Sequence, residues 1–127
     1  MRKALFHLLT NDDVLQSLVP AERWWTRSAV PDSPPLPFAV LGHDGRQRVG
    51  PGLRTYRASL WVYEERQSYD LIDEVLERAF VLLHDVVNFR FEDSLLAYAI
   101  PGDISIELYD DQWRANTRNL SFTMIGS

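Results

Sequence analysis

The order of hydrophobic periods along this chain constrains its fold most. A helical period opens the sequence, a period of two runs from Arg54 to Tyr63, one long helical period covers Tyr69–His84, and strand-like segments finish the chain. That order predicts an α+β fold: a mixed, mainly antiparallel β-sheet with an N-terminal helix and one long central helix packed on it. A length of 127 residues suits a single domain over residues 1–127 with one modest core. No catalytic constellation interrupts the pattern, so the chain is read as working through its surfaces and not as an enzyme.

Local signals place the elements. Leu5, Phe6, Leu8, Leu9 and then Val14, Leu15, Leu18 fall at helical spacings, and Thr10-Asn11-Asp12 can cap a second short helix before Pro20 stops it. A broken helix or two short helices covering one face of the sheet is expected. Ala21–Pro37 reads as an irregular connection with extended pieces. Adjacent Trp24 and Trp25 point to opposite sides of an extended chain, one to the core and one to a rim or interface. The prolines before Phe38-Ala39-Val40-Leu41 stiffen the lead into a short strand.

Gly42–Leu53 carries four glycines and reads as a loop, ordered only on assembly, with Arg46 and Arg48 at its tip. It lacks the Gly-Lys-Ser/Thr of a phosphate loop. In the next strand Tyr56, Ala58, Leu60 and Val62 look like core. Trp61 and Tyr63 lie on the other face, to be covered by a helix or by a neighbouring subunit.

Ser68 is the expected cap of the long helix, and Leu71, Ile72, Val75, Leu76, Ala79, Phe80 and Leu83 its apolar stripe. Phe80 and Leu60 are expected in the core, and Glu74 with Arg78 as a pair one turn apart. Short strands are expected near Phe89–Phe91, Leu95–Ile100, Ile104–Tyr109 and Arg118–Ile125, with Pro101-Gly102-Asp103 as a turn. In the last strand Leu120, Phe122 and Met124 alternate against Asn119, Ser121 and Thr123.

Composition narrows the function. Zero cysteines remove disulfides, thiolate catalysis and thiolate zinc sites, and fit synthesis in the cytosol. Apolar runs fall far short of the ~20 residues of a membrane span, and no signal peptide is read. His7, His43 and His84 have no metal-ligand spacing, so neither a metal nor another cofactor is expected. A net charge of -5 argues against a general nucleic-acid binder. The charge is uneven: His43–Arg57 holds Arg46, Arg48, Arg54 and Arg57 against Asp44 alone. Glu64–Glu77 holds six acids against Arg66 alone. Such segments read as two solvated faces or as the halves of a head-to-tail contact.

The patterns Ala4–Val19, Pro35–Leu41, Tyr56–Tyr63 followed by Ser68–Ile72, and Trp113–Phe122 together resemble the tail terminator (tail completion) proteins of long-tailed bacteriophages. The resemblance spans nearly the whole chain. It implies a structural subunit of the virion, in its tail–neck region, that forms a homohexameric ring. Such a ring caps the tail tube, stops its polymerisation and joins the tail to the head-side connector. The implied partners are the major tail tube protein and the connector or neck protein. Genomic DNA passes through the lumen without specific binding. The family carries no catalytic residues to transfer. A neck or head-completion protein is the alternative of the same class, and a small-molecule-binding or hydrolytic α+β domain that of a different class. The expected interface residues are Arg46, Arg48, Trp24, Trp25 and Trp61, with at least one of the tryptophans at a subunit contact.

Overall fold

A computed structural model describes residues 1–50, 52–65 and 68–127, and of residues 44–50 the backbone alone. The elements are α1 (Arg2–Thr10), α2 (Asp13–Leu18), β1 (Trp24–Thr26), β2 (Phe38–Gly50), β3 (Leu53–Glu64), α3 (Asp70–Asp85), β4 (Val87–Phe91), β5 (Ser94–Ile104), β6 (Leu108–Asp110) and β7 (Ala115–Gly126). This is the α+β arrangement that the sequence predicts. The N-terminal helical region is two helices, broken at Asn11-Asp12. Asp12 is extended (φ -80°, ψ 124°), and its carboxylate accepts the Leu15 N–H, capping α2.

The strands form one seven-stranded sheet in the order β1-β2-β3-β7-β5-β4, with β6 also on β7. Among the described residues only β1–β2 is parallel, and the other pairs are antiparallel. One side of β7 pairs with β3 along Asn116–Gly126. The other side is shared, with β5 against Leu120–Gly126 and β6 against Ala115–Thr117.

Alternation along the strands sends side chains to two separate cores. On the helical face Leu5, Leu9, Leu15, Ile72, Val75, Leu76, Ala79 and Leu83 pack against Leu60, Val62, Leu120 and Met124. Each fully buried Leu or Ile among these is worth about 1.5–3 kcal/mol of transfer free energy. On the opposite face Phe38, Val40, Tyr63 and Ala115 form a smaller core with Trp25, Val30, Leu36, Trp61 and Trp113 around it. The connection before β2 and Trp113 therefore cover this face, where a helix or a neighbouring subunit was expected.

Other expectations also change. Of the expected loop Gly42–Leu53, Gly42–Gly50 belongs to β2 and Leu53 to β3, which pair antiparallel with Gly45 opposite Arg57 and Arg48 opposite Arg54. Cross-strand pairing satisfies the backbone there despite the glycines. Pro101-Gly102-Asp103 is not a turn but lies inside β5, where the register slips between Pro101 and Ile104. A Cβ at Gly102 would sit 3.0 Å from the Ser121 carbonyl oxygen, so the glycine permits close approach to β7. The expected strand Ile104–Tyr109 divides into the end of β5 and β6.

Phe80 is 37% exposed, whereas Leu60 is fully buried. Phe80 stands about 200° round α3 from Arg78, the side chain that faces α2, so α2 does not cover it. Phe80 stacks on His84 instead, with ring centroids 6.5 Å apart. Arg78 turns away from its helix toward Asp12. Ser68 stands one residue outside the cap position, and its Oγ accepts the Asp70 N–H.

Candidate assembly surfaces

The register brings two of the tryptophans together. Trp25 pairs with Val40, and Val40 pairs in turn with Trp61, so one cross-strand row carries both indoles on the face of the smaller core. Both are half-buried. Trp25 leans on Phe38 (5.9 Å between ring centroids) and Trp61 stacks on Tyr63 (6.5 Å). Phe38, Tyr63 and Trp113 complete the aromatic cluster at 4.6–5.3 Å. Burial, and after it the charge of Asp110, push the Tyr63 hydroxyl up to about 12, so it stays neutral as a core residue.

Trp24 belongs to the other face. It is 3% exposed, and its indole N–H donates to the Val19 carbonyl at 2.9 Å. Its place is the wall of the helical core, so within this set Trp25 and Trp61 present the accessible aromatic surface. The side chains of Arg46 and Arg48 lie outside the described residues. Their backbones stand opposite Tyr56 and Arg54 on β3. Arg54 and Arg57 are exposed, and their odd separation of three positions along the strand puts them on opposite faces, as expected.

The acidic segment is not one solvated face. Asp73 binds Arg118 (Nη1 to Oδ1, 2.8 Å) at the sheet. Glu64, at the end of β3, faces the start of α3, where the Ile72 and Leu71 N–H groups favour its charged form. Burial raises its pKa, and its Oε2 has no partner among the described residues. Sequence spacing did not reveal this placement, because Glu64 reaches the helix through the fold. Asp70, Glu74 and Glu77 remain exposed.

A groove of about 570 Å³ opens between α1 and β1. Phe6, His7, Thr10, Trp24, Trp25 and Phe91 line it, with Arg2 and Lys3 at its edge. His7 lies flat on Phe91 at 3.9 Å, which packs α1 against β4. The other two histidines stand apart from it, His43 near Tyr56 and His84 beside Asp85. Among the described residues no three metal-ligating side chains gather, and no helix is long and apolar enough to cross a membrane.

Periodicity also missed an exposed apolar row. Val87 pairs with Tyr98 and Tyr98 with Ile125, one row from the pair Ile100–Thr123. Val87, Tyr98 and Ile100 are 72%, 44% and 57% exposed. Ile106, between β5 and β6, is 76% exposed. These positions alternate as core positions do, and only the tertiary fold leaves them uncovered.

No family model matches the sequence, and no curated protein matches it. Among solved structures, a chain from the virion of a native gene transfer agent (GTA) particle has the same fold, with a TM-score of 0.73 at 12% identity. The match covers 99% of this chain and 93% of that one.

Proposed function

We propose that this chain is a structural subunit of a virion and acts there as a tail terminator, with no enzymatic step. Copies close into a hexameric ring on the last ring of tail-tube protein, stop its growth and present a surface to the head-side connector. The observation that carries this reading is the fold match, nearly end to end on both chains, to a virion chain. It is supported independently by the sequence resemblance to phage tail terminators.

A closed ring needs a heterologous contact, in which two different patches of one subunit meet. The Trp25–Trp61 row is a suitable aromatic anchor, because half-buried indoles gain most when a partner removes the remaining water. Trp24 supports that row from behind. Arg46 and Arg48 supply charge toward acids of another subunit or of the tube. An acidic chain has few cations to exchange for the counterions of DNA, which suits a lumen through which the genome slides.

The test is to add the purified protein to polymerising tail-tube protein. Native mass spectrometry should give a hexamer, and electron microscopy should find tubes that stop growing with a ring at one end. Unchanged tube growth beside a protein that binds the head connector would favour a neck or head-completion protein instead.

A further inference from the structure

The geometry points to the contact that closes the ring: Ile106 of one copy seats in the α1–β1 groove of the next. This inference rests on the ring reading above and names the two patches that reading leaves open.

Ile106 is 76% exposed, more than any other large apolar side chain among the described residues. Its backbone is nevertheless held firmly. Ser105 N–H donates to the Asn119 carbonyl (2.8 Å), and Asn119 N–H donates to Ser105 Oγ (3.0 Å). Arg118 Nε donates to the Ser105 carbonyl (3.0 Å), and Ser105 Oγ donates to the Ile106 carbonyl (2.9 Å). Arg118 is itself anchored on Asp73. A branched aliphatic group on so ordered a segment is presented to solvent at little further entropic cost of docking. Exposed Ile104 stands beside it, and exposed Asp103 and Glu107 flank the pair.

The groove is the complement in shape and charge. Its walls are aromatic, and its volume of about 570 Å³ takes a branched side chain together with part of the segment that bears it. Arg2 and Lys3 at its edge meet the signs of Asp103 and Glu107. Lys3 lies 3.6 Å from Asp93 and 3.9 Å from Glu92, but these groups are all more than 60% exposed, so such pairs exchange partners readily. No residue lines both patches. The knob sits between β5 and β6, close to the first turns of α3, and the groove sits between α1 and β1. Each copy therefore carries one of each, as a head-to-tail ring requires.

The chain has no cysteine, so a thiol pair can be introduced cleanly. Ala29 also lines the groove and is exposed, so Ala29→Cys and Ile106→Cys in one chain, treated with a short bis-maleimide, should give a covalent ladder that stops at the ring size. Each single variant should stop at dimers. Ile106→Asp should keep the wild-type melting temperature, since the side chain is exposed, and raise the concentration needed for assembly at least tenfold. A double variant that yields no ladder overturns the contact, as does an Ile106→Asp chain that assembles normally. Hexamers without a ladder would sink the contact and leave the ring standing. A ladder without control of tube length would keep the contact and sink the terminator reading. A missing ladder combined with lost tube binding in Ile106→Asp would assign the knob to the tube protein, against a second copy.

Discussion

Arg78 grips Asp12 with two hydrogen bonds, Nη2 to Oδ1 at 2.6 Å and Nε to Oδ2 at 3.0 Å. The same carboxylate caps α2 through the Leu15 N–H, so one side chain ends the helix break and ties α2 to α3. The guanidinium beside it holds the Asp12 carboxyl below the usual carboxylate range.

Asp12→Ala should therefore cost about 1–3 kcal/mol at neutral pH, as a lost cap and a lost charged hydrogen bond together do. A folded-state pKa below the unfolded one gives stability that is present above the ordinary Asp value and lost as pH falls through the folded value. The gap between wild type and Asp12→Asn should close as the medium is acidified. Urea melts across acidic pH measure this; a constant gap would refute the assignment.

Glu64 should behave in the opposite sense. Burial raises its pKa, so the folded state holds its proton more tightly than the unfolded chain. Its contribution is largest below the ordinary Glu value and falls as pH rises toward the folded value. Glu64→Gln should remove that dependence and be neutral or slightly stabilising at pH 7. Glu64→Ala should remove the same dependence, because it too takes away the carboxyl that burial perturbs. Both are read from the pH profile of chemical denaturation.

On α3, Phe80 and Leu76 should separate clearly. Leu76 is fully buried, and Leu76→Ala should cost about 2–5 kcal/mol. Phe80→Ala removes a partly exposed ring and its stack on His84, and should cost less than about 1.5 kcal/mol. Equal losses in denaturant midpoint would place Phe80 in the core after all.

Trp61→Ala and Trp25→Ala should leave folded chains that assemble poorly, because these rings sit at the edge of the smaller core. Trp24→Ala should instead weaken the fold, since that indole is 3% exposed and hydrogen-bonded. Thermal melts alongside sizing by light scattering distinguish the two behaviours.

Arg46→Glu combined with Arg48→Glu should lower the yield of length-controlled tails, and more so at low salt. Exposed ion pairs are worth about 0–1 kcal/mol each, so the effect depends on repetition round a ring and on weak screening. Wild-type yield at low ionic strength would leave these arginines without an assembly role.

The sequence by itself determined the helices and the strands β3 and β7. The period of α3, the alternation of β3 and β7, the helix break at Asp12 and the opposite facing of Trp24 and Trp25 are local properties of spacing and backbone sterics, and the fold repeats them. Tertiary structure alone decided what each surface meets. Arg78 had Glu74 within reach along its own helix and found Asp12 on another. Glu64 came to face the start of α3, and the connection before β2 covered the second face of the sheet. The pairing of β2 with β3 overrode a glycine content that reads as loop. Phe80, Tyr98, Ile100 and Ile106 have the spacing of core residues and stay exposed, because a hydrophobic period says that a face is to be covered and not what covers it. Exposed apolar surface and the groove between α1 and β1 arise where elements distant in sequence do or do not meet. That is a property of packing, which no local pattern encodes.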